Sequence, residues 1–121
     1  MIIKGDMQQA GGVEFATFRL REGVTEADLL ALSRRVESEF LLQQSELIMH
    51  CLLRGADGLY ADVVMAPSQS LVEAYCQQWL HNDVAGEYLT LLDHHSVNMS
   101  FWTRIGRGRR GACHPPARGQ S

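Results

Sequence analysis

The stretch Glu46 to Ala66, ELIMHCLLRGADGLYADVVMA, decides the fold, because it reads as two strands folded onto each other. Its turn, Arg54-Gly55-Ala56-Asp57-Gly58-Leu59, carries Asp-Gly at the tip, and Gly58 supplies the positive φ that a three-residue hairpin loop with a bulge requires. Pairing Gly55 with Leu59 sets Arg54 opposite Tyr60, Leu52 opposite Asp62 and His50 opposite Val64. One face of the ribbon then holds Met49, Cys51, Leu53, Leu59, Ala61, Val63 and Met65, all apolar. The other face mixes His50, Leu52, Arg54, Tyr60, Asp62 and Val64. Such a split predicts a sheet with one buried face and one of mixed character.

Working outward, residues 1–12 form a polar leader ending in Gln8-Gln9-Ala10-Gly11-Gly12, expected to be flexible. Val13 to Arg21, VEFATFRLR, is rich in β-branched and aromatic residues and predicts the first strand. Ala16, Phe18 and Leu20 suit its core side, which puts Phe15, Thr17 and Arg19 on the mixed face and Glu14 near the edge. Thr25 is a suitable N-cap with Glu26 and Asp28 in the first turn, and Leu29, Leu32, Val36 and Phe40 recur at helical spacing, so a helix is expected to end near Gln43-Gln44. After Pro67, Ser70 with Glu73 predicts a capping box for a second helix whose buried stripe includes Val72, Tyr75, Cys76 and Trp79. His81-Asn82-Asp83 interrupts it and a short helix resumes to Leu92. Ser96 to Ile105 predicts the last strand, with Asn98, Ser100 and Trp102 on one side.

The order strand, helix, strand, strand, helix, strand predicts an α+β, ferredoxin-like βαββαβ domain over residues 13–105: a four-stranded antiparallel sheet with two helices on one face. The helices are expected to cover the apolar ribbon face. Leu52, Val64, Trp102 and Phe15 would then lie uncovered on the mixed face, where a second sheet can bury them.

With 121 residues, 45% hydrophobic and 21% charged, the chain suits one globular domain. No apolar run approaches a membrane span and the first residues do not form a signal peptide, so a cytoplasmic location is expected. The formal charge of −3 is unevenly spread. Six Lys and Arg face fourteen Asp and Glu before Arg104, whereas the basic flexible tail, residues 106–121, adds arginines 107, 109, 110 and 118. An acidic body argues against a nucleic-acid partner. Cys51, Cys76 and Cys113 form no CxxC pair, and the first two suit a core. His94-His95 lacks the companions of a metal site, so no metal is expected. There is no GxGxxG, P-loop, GxSxG or HExxH motif.

Val13 to Leu20, Gly23-Val24-Thr25-Glu26, Leu59 to Val64, Ser70-Leu71 and Ser96 to Met99 together resemble the dimeric α/β-barrel superfamily, which includes the antibiotic-biosynthesis-monooxygenase-like proteins. The resemblance spans residues 13–105. It implies a homodimer joined through its sheet faces, with a pocket within the barrel or between each sheet and its helices. Members include cofactor-free oxygenases of aromatic polyketides, heme-degrading oxygenases and lactone isomerases, and fold alone does not choose among them. Heme-degrading members have a segment similar to Trp79 to Val84 followed by a ligating histidine. Here Ala85 to Thr90 has none, so no heme or other cofactor is expected.

The mixed face offers His50, Asp62, Tyr60, Arg54, Trp102, Asn98 and Ser100. A histidine held by a carboxylate is a general base, so His50 oriented by Asp62 forms the candidate catalytic pair. Phe15, Tyr60 and Trp102 suit packing against an aromatic or apolar substrate, while Asn98 and Arg54 suit polar contacts to it. The chain is expected to bind a small molecule as a cofactor-independent monooxygenase or isomerase. Alternatively it is a non-catalytic binding protein of the same fold, in which His50 and Asp62 only satisfy each other.

Overall fold

The computed structural model describes residues 1–106; Cys113, His114 and the arginines from 107 onward lie outside the described residues. Five strands, β1 (Ile2–Ile3), β2 (Gly12–Arg19), β3 (Met49–Arg54), β4 (Leu59–Ala66) and β5 (Asn98–Thr103), form one sheet in the order β1-β3-β4-β2-β5. Each pairing in it is antiparallel. Three helices, α1 (Glu26–Glu39), α2 (Gln69–Trp79) and α3 (Asp83–Leu89), complete the α+β ferredoxin-like fold. The expected four strands and two helices are thus exceeded. The break at His81-Asn82 separates α2 from α3, and Asn82 caps α3 by accepting a hydrogen bond from the Val84 amide.

The fifth strand comes from the leader. Ile2 pairs with His50 and Ile3 with Met49, and Lys4 and Gly5 both donate backbone hydrogen bonds to the Ile48 carbonyl. Residues 2 and 3 thereby satisfy part of the β3 edge that would otherwise stand open. Polarity of the leader gave no sign of this, because edge pairing needs only backbone groups.

The hairpin has the expected register, Arg54 opposite Tyr60, Leu52 opposite Asp62 and His50 opposite Val64. Gly55 donates to the Leu59 carbonyl at 2.7 Å, and the loop turns through Asp57 and Gly58, whose φ values are +56° and +78°. Two successive left-handed residues explain why Asp-Gly stands there. Gly12, at the start of β2, is required for a different reason: a Cβ there would lie 2.2 Å from the Ser68 backbone. That close approach holds β2 against the connection from β4 to α2.

Both long helices start on side-chain caps. Thr25 and Asp28 form a reciprocal capping box for α1, with hydrogen bonds of 3.0 and 3.2 Å. For α2 the cap is Ser68, which accepts from the Leu71 amide, and the expected Ser70/Glu73 box is absent. Glu73 instead accepts from the Gln69 amide side chain one helical turn back. The first helix also ends earlier than expected, at Glu39, and a short 3-10 turn covers Leu41–Gln43.

The β3–β4 ribbon presents to the helices the opposite face from the one expected, whereas β2 turns Ala16 and Phe18 to them as expected. Phe18, Leu29, Val36, Val64, Val72 and Tyr88 belong to one core cluster between sheet and helices, with Leu52 and Tyr60 packed against it. A smaller cluster of Ala10, Ile48, Met49 and Val63, with Cys51 and Met65 at its margin, lies on the other side. The β2–β4 register explains the inversion. Phe18 is opposite Tyr60 and Ala16 opposite Asp62, so the mixed ribbon face shares a side with the core residues of β2. The apolar ribbon face shares a side with Phe15 and with Trp102, and Phe15, Leu53 and Trp102 remain exposed there.

Candidate functional site

The helix side of the sheet gathers polar groups of three further elements about one imidazole. His50, on β3, is almost fully buried at 3% exposure. Its Nδ1 lies 2.7 Å from Oε2 of Glu37 on α1, and its Nε2 lies 2.8 Å from Oδ1 of Asp62 on β4. The Tyr88 hydroxyl, from α3, donates to the second Asp62 oxygen at 2.7 Å. His50 and Asp62 are therefore brought together as the hairpin register predicts, diagonal to each other on neighbouring strands.

Carboxylates flank both ring nitrogens of the imidazole. Burial opposes its charge, but the hydrogen bonds and charges of Asp62 and Glu37 outweigh that and raise its pKa above the ordinary histidine value. Both nitrogens then donate, and neither is free to accept a substrate proton. Burial first, and then Asp62, raise the Tyr88 hydroxyl far above its usual range, so it stays protonated as a donor.

Beside this network lies a cavity of about 90 Å³ between the sheet and the helices. Its apolar walls include Phe18, Phe40, Trp79 and Leu92, and His50 and Asp62 lie at its polar end. The aromatic rings support one another: Trp79 is 5.5 Å from Phe40 and 5.8 Å from Tyr88, and Tyr88 in turn is 6.1 Å from Phe18, centroid to centroid. Such tilted and edge-on contacts stiffen a wall without filling the space beside it.

Two lining residues stand apart because their polar atoms are not used within the fold. Glu14, on β2, points to the cavity two residues before Ala16, and among the described residues no hydrogen bond reaches its carboxyl group. Burial, reinforced by the nearby Asp62 charge and only partly offset by His50, raises its pKa to about 7. Tyr75, on α2, is 6% exposed, and its hydroxyl is buried with no hydrogen-bond partner among the described residues.

The expected substrate-contacting residues divide between places. Tyr60 and Arg54 share the helix side, but both engage Glu26: the Tyr60 hydroxyl donates to it at 2.9 Å and Arg54 lies at 3.4 Å. They border a separate shallow depression with Leu30 and Leu52. Phe15, Asn98 and Trp102 lie across the sheet from His50 and Asp62, paired along β2 and β5 on the exposed face. Three contributors went unrecognised in sequence. Glu37 had a legible signal, since Leu29, Ser33 and Glu37 follow at intervals of four residues and all are buried. Glu14 had another, being in phase with Ala16 and Phe18. Tyr75 was visible as core but not as a polar group.

Among the described residues no group of His, Cys, Asp and Glu has the arrangement of a metal site, and His94 and His95 fall in a 3-10 turn, His94–Ser96. No helix there is long and apolar enough to cross a membrane.

No family model matches the chain, and no curated protein matches it. Solved structures do. SnoaB, a cofactor-independent oxygenase from Streptomyces nogalater, superposes with a TM-score of 0.62 at 18% identity, over 80% of this chain and 96% of its own. A ferredoxin-fold protein of Listeria monocytogenes, related to antibiotic biosynthesis monooxygenases, gives 0.64 at 13% identity, over 88% of this chain and 63% of its own. An antibiotic biosynthesis monooxygenase gives 0.57 at 11% identity, over 78% and 99%. At these identities the likeness is one of architecture, and the chain has the ferredoxin-like fold of the antibiotic-biosynthesis-monooxygenase-like proteins.

Proposed function

We propose that this protein is a cofactor-independent oxygenase of a small aromatic or apolar substrate held in the helix-side cavity, with Glu14 as general base. The observation that carries this reading is the Glu14 carboxyl group, half-buried at the apolar cavity, without a protein hydrogen-bond partner among the described residues and with its pKa raised to about 7. A base serves best when its pKa lies near the working pH, and burial is how a carboxylate reaches that range. The Glu37–His50–Asp62–Tyr88 network holds the polar end rigid, with the His50 imidazolium as a fixed positive charge near the developing carbanion.

In the reaction Glu14 takes a proton from an activated methylene. The resulting carbanion gives one electron to dioxygen, the two radicals combine, and the peroxide takes up a proton. Loss of water from the hydroperoxide leaves a carbonyl, so that R₂CH₂ and O₂ become R₂C=O and H₂O. The architectural likeness to SnoaB supports dioxygen as the second substrate. The test uses 4-hydroxyphenylacetone in D₂O. Wild type is expected to speed exchange of its methylene protons and to consume dioxygen in step, and Glu14→Gln is expected to slow both by roughly 100-fold or more. Exchange without oxygen uptake would assign the same base to an isomerase. Exchange equal in wild type and variant would refute the role of Glu14.

The exposed sheet face, with Phe15, Leu53 and Trp102, is proposed to join two protomers. An apolar surface of this kind is normally covered by a partner. In this arrangement the cavity lies wholly within one protomer, and His50 and Asp62 take no part in the contact.

A further inference from the structure

A buried tyrosine hydroxyl that no protein group satisfies is costly, and a cavity beside it is where a partner can sit. Tyr75 is such a residue, and it lines the same cavity as Glu14. A ligand there has two polar groups to meet, an acceptor in the Glu14 carboxylate and a donor in the Tyr75 hydroxyl, against walls that are otherwise aromatic and aliphatic.

Size and charge narrow the class. About 90 Å³ is less than the roughly 150 Å³ of an engineered apolar cavity that admits benzene, so one ring fits with slight movement of side chains. Glu14 and Asp62 both line the polar end beside a single imidazole, which disfavours an anionic ligand. We propose that the cavity selects neutral, single-ring hydroxyaromatic molecules, with the Tyr75 hydroxyl anchoring the ligand oxygen. This rests on the cavity being the ligand site proposed above, and it makes Tyr75 a specificity-determining residue.

Trp79 lines the cavity while Trp102 is exposed across the sheet, so a Trp102→Phe background leaves Trp79 as the reporting fluorophore. Phenol, toluene, benzoate and benzylamine are titrated at pH 7 into that protein and into its Tyr75→Phe derivative. Phenol is expected to bind roughly tenfold more tightly than toluene, a ratio that falls severalfold in the derivative, with benzoate the weakest. An unchanged ratio in the derivative, or no preference for phenol before Tyr75 is altered, would overturn the inference and leave the cavity as a ligand site. So would tighter binding of benzoate or of benzylamine, the latter marking a cation site. Absence of saturable binding by every probe would overturn both the inference and the cavity assignment beneath it.

Discussion

Replacing Glu14 by glutamine gives a measurable pH signature. A carboxyl group ordinarily titrating at 4.5 and raised to about 7 in the folded protein binds its proton more tightly folded than unfolded. Between these two values the folded state holds more protons, so its stability falls as pH rises. The difference of about 2.5 pH units, at 1.36 kcal/mol each, makes the native Glu14 cost about 3 kcal/mol above pH 7 and nothing below pH 4. A glutamine side chain in its place carries no charge at any pH and escapes this cost. Glu14→Gln is therefore expected to match wild type in stability at pH 4, to gain progressively from pH 4.5 to 7, and to remain about 3 kcal/mol more stable at pH 8. Urea unfolding at pH 4, 5.5, 7 and 8.5, with equal m-values for the two proteins, measures the difference directly. A difference that is flat with pH, or a variant less stable at pH 8, would refute the view that the cavity holds Glu14 as a poised base. The stability lost is the same free energy that makes the ionised carboxylate avid for a proton.

Other perturbations separate the roles of the surrounding groups. His50→Gln removes the imidazolium shared by Glu37 and Asp62, and chemical denaturation is expected to show a loss of roughly 3–5 kcal/mol at pH 6. Because the folded pKa of His50 is raised, its stabilisation is fully present below the unfolded value near 6.5 and fades as pH rises through the folded value, so the loss should shrink in alkaline buffer. Tyr75→Phe removes an unsatisfied buried hydroxyl, and its thermal unfolding should show stability equal to wild type or as much as about 1–3 kcal/mol higher; a clear loss would mean that the hydroxyl has a structural partner. Trp102→Glu places a charge on the exposed sheet face far from the cavity. Sizing is expected to show a dimer becoming a monomer, while Trp79 fluorescence still responds to phenol; a wild-type monomer at micromolar concentration would refute the proposed contact.

Local chemistry in the sequence determined the hairpin and its register, because Asp57-Gly58 is suited to a turn with two positive φ angles and the pairing of every following residue is counted from it. The element order, the Thr25 cap and the meeting of His50 with Asp62 follow from similarly short-range patterns. Alternation shows that two faces of a strand differ, but it does not say which face a helix will cover. Here both faces are apolar enough to be buried, and the one carrying His50 and Asp62 was chosen by the pairing of Phe18 with Tyr60 and by carboxyl and hydroxyl groups arriving from α1 and α3. A polar residue is tolerated in a core once distant partners satisfy it, and those partners lie 13 and 26 residues away in the chain. The sequence alone thus determined the β3–β4 hairpin and its register; the tertiary structure alone decided that β1 would pair with β3, that His50 would be enclosed between carboxylates and that Glu14 and Tyr75 would be left facing a cavity, because the desolvation of a polar group depends on every element packed around it.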